Sequence, residues 1–483
     1  MTSQQRGLSR RAFLTSSCAL GLIGCTVGED FSSPTMKLSN RFGPTTAGPV
    51  RTNDAQWWKA FNDPLINQIV DLGLKQNLDI RRIGARIQQS QGIVQSSGFP
   101  ISGNARVAEA KVQTGGGEST QQTGLVRAEA TWKIDLIGRL KREREAAYAR
   151  LDAAYADLDV WRLLLVEEVV SAYIDMRFAQ EVLRIQYRVL ASREKTLEAT
   201  RKAVQHGGSE NEPQPPSTDT SSPDATDATE LDVAQAKALV QATRANIPES
   251  RIAFGLMLNR IIRLLGGTEL PNRERFDIRA PQPVARTKVV NTGVPADLLR
   301  NRPDIVRAEY QLAEAVALLG VAEADLYPQL ELTGNVNLNY SNELLPGAGF
   351  VLLGLNIPIF DIPVRKGRVE TAKGLIQERE ANWEEKVVIA VEEVRNAMLS
   401  LQQHSIAVVE ARKAVEAARQ VLTIAREKYI DGSAPFLQVL DAERAFLSTE
   451  ISYALDLRNQ ARDFVNLNVA IGGSFGPKPP ARS

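Results

Sequence analysis

Histidine is almost missing from this chain: His206 and His404 are the two it has in 483 residues. They stand about 200 positions apart, with no further ligands beside them at metal-binding spacing, so no metal site is expected. Cysteine is as scarce. Cys18 and Cys25 both lie near the N-terminus, which excludes an internal disulfide framework. Beyond the N-terminal segment there is no run of eighteen apolar residues, so no helix is long and greasy enough to span a bilayer. An excess of one charge is lacking too. Lys and Arg number 58 against 57 Asp and Glu, which argues against a nucleic-acid partner. Glycine and proline are absent over residues 139–206 and 375–431, so nothing there breaks a helix.

What is present is a repeat. Ile80 recurs as Ile305, Val166-Glu167-Glu168-Val169 as Val391-Glu392-Glu393-Val394, and Gly207 as Gly432, all about 225 positions apart. Past that glycine the offset falls to about 206: Leu231 matches Leu437, and Leu264-Leu265-Gly266-Gly267 matches Ala470-Ile471-Gly472-Gly473. The chain therefore carries two tandem copies of one unit. An insertion of about nineteen residues sits in the first copy, within 207–229. It is rich in Pro, Ser, Thr and acids and cannot bury a core, so it is expected to be disordered.

Each breaker-free stretch reads as one helix, about 68 residues or roughly 100 Å long in the first copy. Both carry a seven-residue apolar series, Val169, Met176, Leu183, Leu190, Leu197, Val204 and Val394, Leu401, Val408, Val415, Leu422, Tyr429. That period predicts a supercoiled seam. Shorter series follow each glycine, so each copy predicts a helical hairpin with its tip at Gly207 or Gly432; Pro248 should kink or interrupt the first return arm. Before each long helix the period is two. Val126 to Leu136 alternate with polar residues; so do Leu330 to Tyr340, and Val351 to Ile359 forms a further row. With a fourth, less regular segment from Ile101 to Val112, these predict strands within about 101–136 and 329–360, long enough to cross a bilayer when tilted. By pattern alone the strands could also form a soluble sheet over a helix; in a membrane, four strands cannot close a barrel, and open edges are not tolerated in lipid. Three chains in cyclic symmetry would pool twelve. The expected fold class is mainly α with a β-barrel part.

The N-terminus reads as a lipoprotein leader, residues 1–24. Arg6, Arg10 and Arg11 form its basic region, and Leu22-Ile23-Gly24-Cys25 resembles a lipobox. Cleavage leaves Cys25 first, carrying acyl chains, and takes the 58 basic residues to 55 against 57 acidic. Ser9-Arg10-Arg11-Ala12-Phe13-Leu14 also resembles a twin-arginine signal, with plain Sec export the alternative. No cofactor is expected beyond that N-terminal lipid. Ser192-Arg193-Glu194-Lys195 fits an SxxK pattern but lacks its companion motifs, so no catalytic residue is assigned.

Several segments together resemble a known family: Trp57-Trp58, Phe61, Asp63-Pro64-Leu65 and Asn77-Leu78-Asp79; then Trp132-Lys133-Ile134-Asp135-Leu136-Ile137-Gly138-Arg139. Leu298-Leu299-Arg300-Asn301-Arg302-Pro303-Asp304-Ile305 follows, with Tyr327-Pro328, Ile357-Pro358-Ile359-Phe360-Asp361, the stretch after Gly432, and Gly472-Gly473. Over residues 25–476 the chain is similar to outer-membrane efflux lipoproteins of the TolC/OprM (NodT) type. The resemblance implies a non-catalytic homotrimer with a twelve-stranded barrel in the outer membrane and a periplasmic helical tunnel. It divides the chain into a lipidated segment (25–56), a first repeat (57–267), an equatorial linker (268–296), a second repeat (297–473) and a tail (474–483). It implies partners too: a periplasmic adaptor docking at the hairpin tips (Gly207, Gly208, Gly432), and an inner-membrane pump of the RND rather than the ABC type. It places a periplasmic gate at Leu437 and Asp441, which share a helix face. Gln438 stands where some relatives have a second acid. Against the gate, the residues alone allow Leu437 to pack in the coiled coil and Asp441 to be a solvated acid. Two other functions stay open: a duct for type I protein secretion, and a coiled-coil lipoprotein scaffold without a pore.

Overall fold

The structure, a computed structural model, describes residues 26–36, 41–42, 56–113, 120–207, 229–267, 269–270, 272–277, 280–285, 294–295, 302–341, 343–344 and 347–473. The leader, Cys25, Gly208 with nearly all of the insertion, and the tail 474–483 lie outside these residues.

The main elements, in order, are α1 (Pro64–Gln76), α2 (Leu78–Ser96), β1 (Ile101–Gln113), β2 (Thr120–Ile134), α3 (Arg139–Gly207) and α4 (Glu230–Leu264). Then come α5 (Pro303–Ala324), β3 (Gln329–Ser341), β4 (Ala348–Asn356), α6 (Ile362–Ile430) and α7 (Phe436–Ala470). Helices α3 and α6 have 69 residues each. α6 begins upstream of the breaker-free stretch and runs through Gly367 and Gly374. A Cβ at either would meet no neighbour, so these glycines lie on an open face and cost the helix only about 1 kcal/mol each. α4 continues through Pro248, so of the expected kink or interruption the interruption does not occur. The helix is held on either side of the proline by burial of Ile247 and by hydrogen bonds from the Arg251 guanidinium to Tyr187 Oη on α3.

The seam predicted by the seven-residue series is present. All twelve positions are buried or half-buried, and none is exposed. Each long helix runs beside two shorter helices stacked end to end. Asn77, at the start of α2, donates through Nδ2 to the carbonyl of Leu264, at the end of α4 (2.8 Å). Arg302, just before α5, donates through Nη1 to the carbonyl of Ala470, at the end of α7 (2.6 Å). Each side chain takes up a helix-terminal carbonyl that would otherwise be unpaired.

The strands form one antiparallel sheet in the order β1-β2-β3-β4. β1 pairs along its whole length. β4 stops at Asn356, short of the expected 360, and Ile357 to Phe360 lie beyond it, where Pro358 has no N–H to give a ladder. Register makes the two faces unlike. Ile101, Trp132, Leu332 and Leu353 form one row across all four strands, and Ala105, Ala128, Val336 and Gly349 another on the same face. The opposite face carries Asn104, Glu129 and Asn335, and Arg106, Arg127 and Asn337, with a hydroxyl contact of 3.3 Å between Thr131 and Thr333. The apolar face is uncovered: Val107 is 77% exposed, Val351 74% and Leu353 61%. No helix packs over it among the described residues, which counts against a soluble sheet backed by a helix.

Candidate functional site

The tip of the second hairpin is built tightly. α6 ends at Ile430, and Gly432 takes φ +71°, a left-handed conformation suited to glycine. Ser433 and Ala434 return their N–H groups to the carbonyl of Lys428 at 2.8 and 3.1 Å. Pro435 then precedes α7. Phe436 packs on Tyr429 and joins Val439, Leu440, Ala442, Leu197 and Val240 in a core that ties this hairpin to the other. Leu437 and Asp441 occupy the opposite face. Within the single chain Leu437 is 56% exposed, and Asp441 is exposed with Arg444 at 3.6 Å. At the first tip α3 ends at Gly207, and α4 restarts in a capping box between Thr229 and Asp232. Leu231, the counterpart of Leu437, is also exposed.

Above the tip a charge ladder joins the hairpins. Glu443 on α7 is buried and meets Arg426 on α6 at 2.6 Å and Arg193 on α3 at 3.5 Å. One heptad on, Glu450 pairs with Arg188 on α3 and lies 3.9 Å from Arg419 on α6. Asp175 on α3 takes Arg458 and Arg462 from α7. Here the heptad period could have given a signal: the acids, and the α6 arginines, are each seven apart.

Higher still, an apolar cluster covers one side of α3 and α7. Trp57, Trp58, Phe61, Ile66 and Ile69 pack on Val169, Tyr173, Phe464 and Val465, with Leu270 and Phe276 from the bridge between the two halves. Tyr173 donates to Asp63 (2.6 Å) and Arg177 donates to the Tyr173 hydroxyl (3.0 Å). His404 Nδ1 stands 2.5 Å from Asp463 Oδ2. Burial pushes the Asp463 carboxyl up, and His404 pulls it back only in part. At Asp304 the balance is reversed. Burial alone would raise it, but Arg302 at 2.8 Å and the N–H of Ile305 at 3.0 Å hold it below the usual carboxylate range.

At the sheet end of α3 the described chain starts at Thr26, one residue past the expected lipidation position Cys25. Val27 donates its N–H to the carbonyl of Ile137 (3.0 Å). Buried Arg142 donates to the carbonyls of Val27 (3.2 Å) and Gly28 (2.7 Å) and pairs with Asp30 and Glu145. Three glycines allow this approach. A Cβ on Gly138 would fall 2.6 Å from Thr26 Cγ2, one on Gly28 2.9 Å from Gly320 Cα, and one on Gly320 2.9 Å from the Arg142 side chain. The cradle is formed by residues far apart in sequence, which is why the lipobox alone did not reveal it.

No group of three potential metal ligands occurs among the described residues, and no helix there is long and apolar enough to cross a membrane. The chain matches the family model described as outer membrane efflux protein over residues 70–211 and 294–473. It is 32% identical to nodulation protein T of Rhizobium leguminosarum bv. trifolii over 481 residues, spanning 95% of this chain and 96% of the relative. It is 26% identical over 476 residues to the cation efflux system protein CusC of Escherichia coli O157:H7, spanning 95% and 97%. The solved outer-membrane channel OprN superposes with a TM-score of 0.78 at 29% identity, covering 94% of this chain and all of that one. The open MtrE channel of Neisseria gonorrhoeae shares the fold, with a TM-score of 0.76 at 24% identity over 94% and 99%. With a match this broad, and a sheet whose greasy face is left open, the chain belongs to the outer membrane efflux protein family and is an efflux channel of the outer membrane.

Proposed function

We propose that this chain is the exit duct of a three-part pump. Three copies close a twelve-stranded barrel, and their helices continue it as a tunnel of roughly 100 Å through the periplasm. The observation that carries this reading is the sheet: β1 and β4 each leave one edge unpaired among the described residues, beside an uncovered apolar face. Edges of that kind close only on other chains. The offset of 225 between Asn77 and Arg302, and of 206 between Leu264 and Ala470, supports two copies of one unit in each chain.

Cys25 would carry the acyl anchor, and the Arg142 cradle would hold the chain beside it at the rim of the barrel. Leu437 and Asp441, threefold repeated, would form the periplasmic gate. A ring of Leu occludes by dewetting and a ring of Asp binds cations. The tips at Gly207, Gly208 and Gly432 would meet an adaptor, and through it a pump of the RND type. The cargo would be small molecules. Relatives are named for cation and toluene efflux, and a wide bore leaves selection to the pump. The test is reconstitution: purified protein in planar bilayers should give discrete conductance steps. Protein that stays soluble as single copies without detergent, or inserts no pores, rules the duct out.

A further inference from the structure

We propose that the wall of this duct holds a binding site for amphipathic organic cations, at the break between α5 and α7. The inference rests on the trimer reading for which side faces the bore. α5 begins where α7 ends, and the junction leaves a cavity of 550 Å³ between α3 and α6. Its direction follows from helix geometry. At 100° per residue Val160, Leu164 and Glu167 share one side of α3, while Leu165, Val169 and Tyr173 lie opposite, inside the apolar cluster. On α7, Asp463, Asn466 and Ala470 line the cavity, and Ala461, Phe464 and Val465 face the cluster. The cavity therefore opens away from the cluster, into the bore.

Its charges are mostly committed. Arg302 is held by Asp304, Glu393 and the carbonyl of Ala470; Arg307 by Asp157; Asp463 by His404. Two are not: Glu167 and Lys386 line the cavity, and among the described residues neither has a hydrogen bond or ion pair. They are not equivalent. Lys386 has a four-carbon stem that can carry its ammonium into water. Glu167 is half-buried on a short stem. Burial pushes its carboxyl above the ordinary range, with Glu168 and Glu393 adding to the shift and Arg462 and Arg260 opposing it from a distance. A cation settling beside Glu167 relieves that cost, while Val160, Leu164 and Val469 receive an apolar body. One weak site of this kind is compatible with passage, because cargo must leave as well as enter.

The test is equilibrium dialysis of the full-length protein in detergent against tetraphenylphosphonium. Tetraphenylborate, the same shape with opposite charge, serves as control, and matched empty micelles as blank. The wild type should retain the phosphonium over the borate. Glu167→Gln should weaken phosphonium retention by about tenfold, the loss of one ion pair in a partly buried site; Lys386→Met should strengthen it. Equal retention of both ions, or phosphonium retention indifferent to both variants, overturns the site. Wild-type conductance in bilayers is measured separately, so a duct without this site and a protein that is no duct give different results.

Discussion

Asp441 is the residue on which the proposed gate turns. It is exposed, its nearest cation is Arg444 at 3.6 Å, and it shares a face with exposed Leu437. Asp441→Ala should raise single-channel conductance severalfold and remove its sensitivity to divalent cations; unchanged values in bilayer recordings would place the gate elsewhere. Glu167 gives a prediction with a defined pH sign. Its folded-state value is raised, so its charged form opposes folding at neutral pH, and protonation lifts that penalty. Glu167→Gln should therefore raise the apparent melting temperature at pH 7. The gain should shrink as pH falls through the raised folded value and vanish below the ordinary value of 4.5. A gain that persists in acid would mean the effect is packing rather than charge. Arg142→Ala removes two charge-assisted hydrogen bonds to the carbonyls of Val27 and Gly28, about 2 kcal/mol of local stability. Limited proteolysis within residues 26–36 should speed up while the melting of the helices stays unchanged.

At the scale of elements, the long helices hold together by two different means. The apolar seam runs on from one hairpin into the other through the tip core of Leu197, Val240, Leu422 and Val439, and the ladder of Glu443 and Glu450 adds ion pairs within the second hairpin and across to the first. The acids are buried but Arg426, Arg188 and Arg419 reach solvent, so each lost acid costs only about 1 kcal/mol. The double variant Glu443→Gln, Glu450→Gln should leave overall helicity intact. It should also speed hydrogen exchange in residues 436–450 and raise the open fraction of the channel. Protection equal to wild type would show that the seam alone sets the hairpin's position.

At the scale of the whole molecule, the proposed barrel needs more than one chain. The sheet offers lipid-compatible rows such as Ile101, Trp132, Leu332 and Leu353 on one face, a wet face on the other and, among the described residues, two open edges. Sedimentation in detergent should give a protein mass of three chains, and cross-linking should saturate at the trimer. A monodisperse single chain would remove the barrel.

Much of this was legible in residue order. Local periodicity decides what a segment can be, so a breaker-free heptad run specified α3 and most of α6, and alternation specified β2, β3 and β4, while β1 owes its strand to pairing with β2. The lipobox and the repeat offsets likewise needed only spacing. Other features needed tertiary contact. Pro248 sits inside α4 because packing against α3 holds the helix on both sides of it. Within one chain, only the placement of Phe436 and Val439 in the tip core turns Leu437 outward. The pairing of His404 with Asp463, the Arg142 cradle and the uncommitted Glu167 join residues distant in sequence. Spacing along one chain fixes which face a side chain takes; only the packing of other segments decides what stands opposite it.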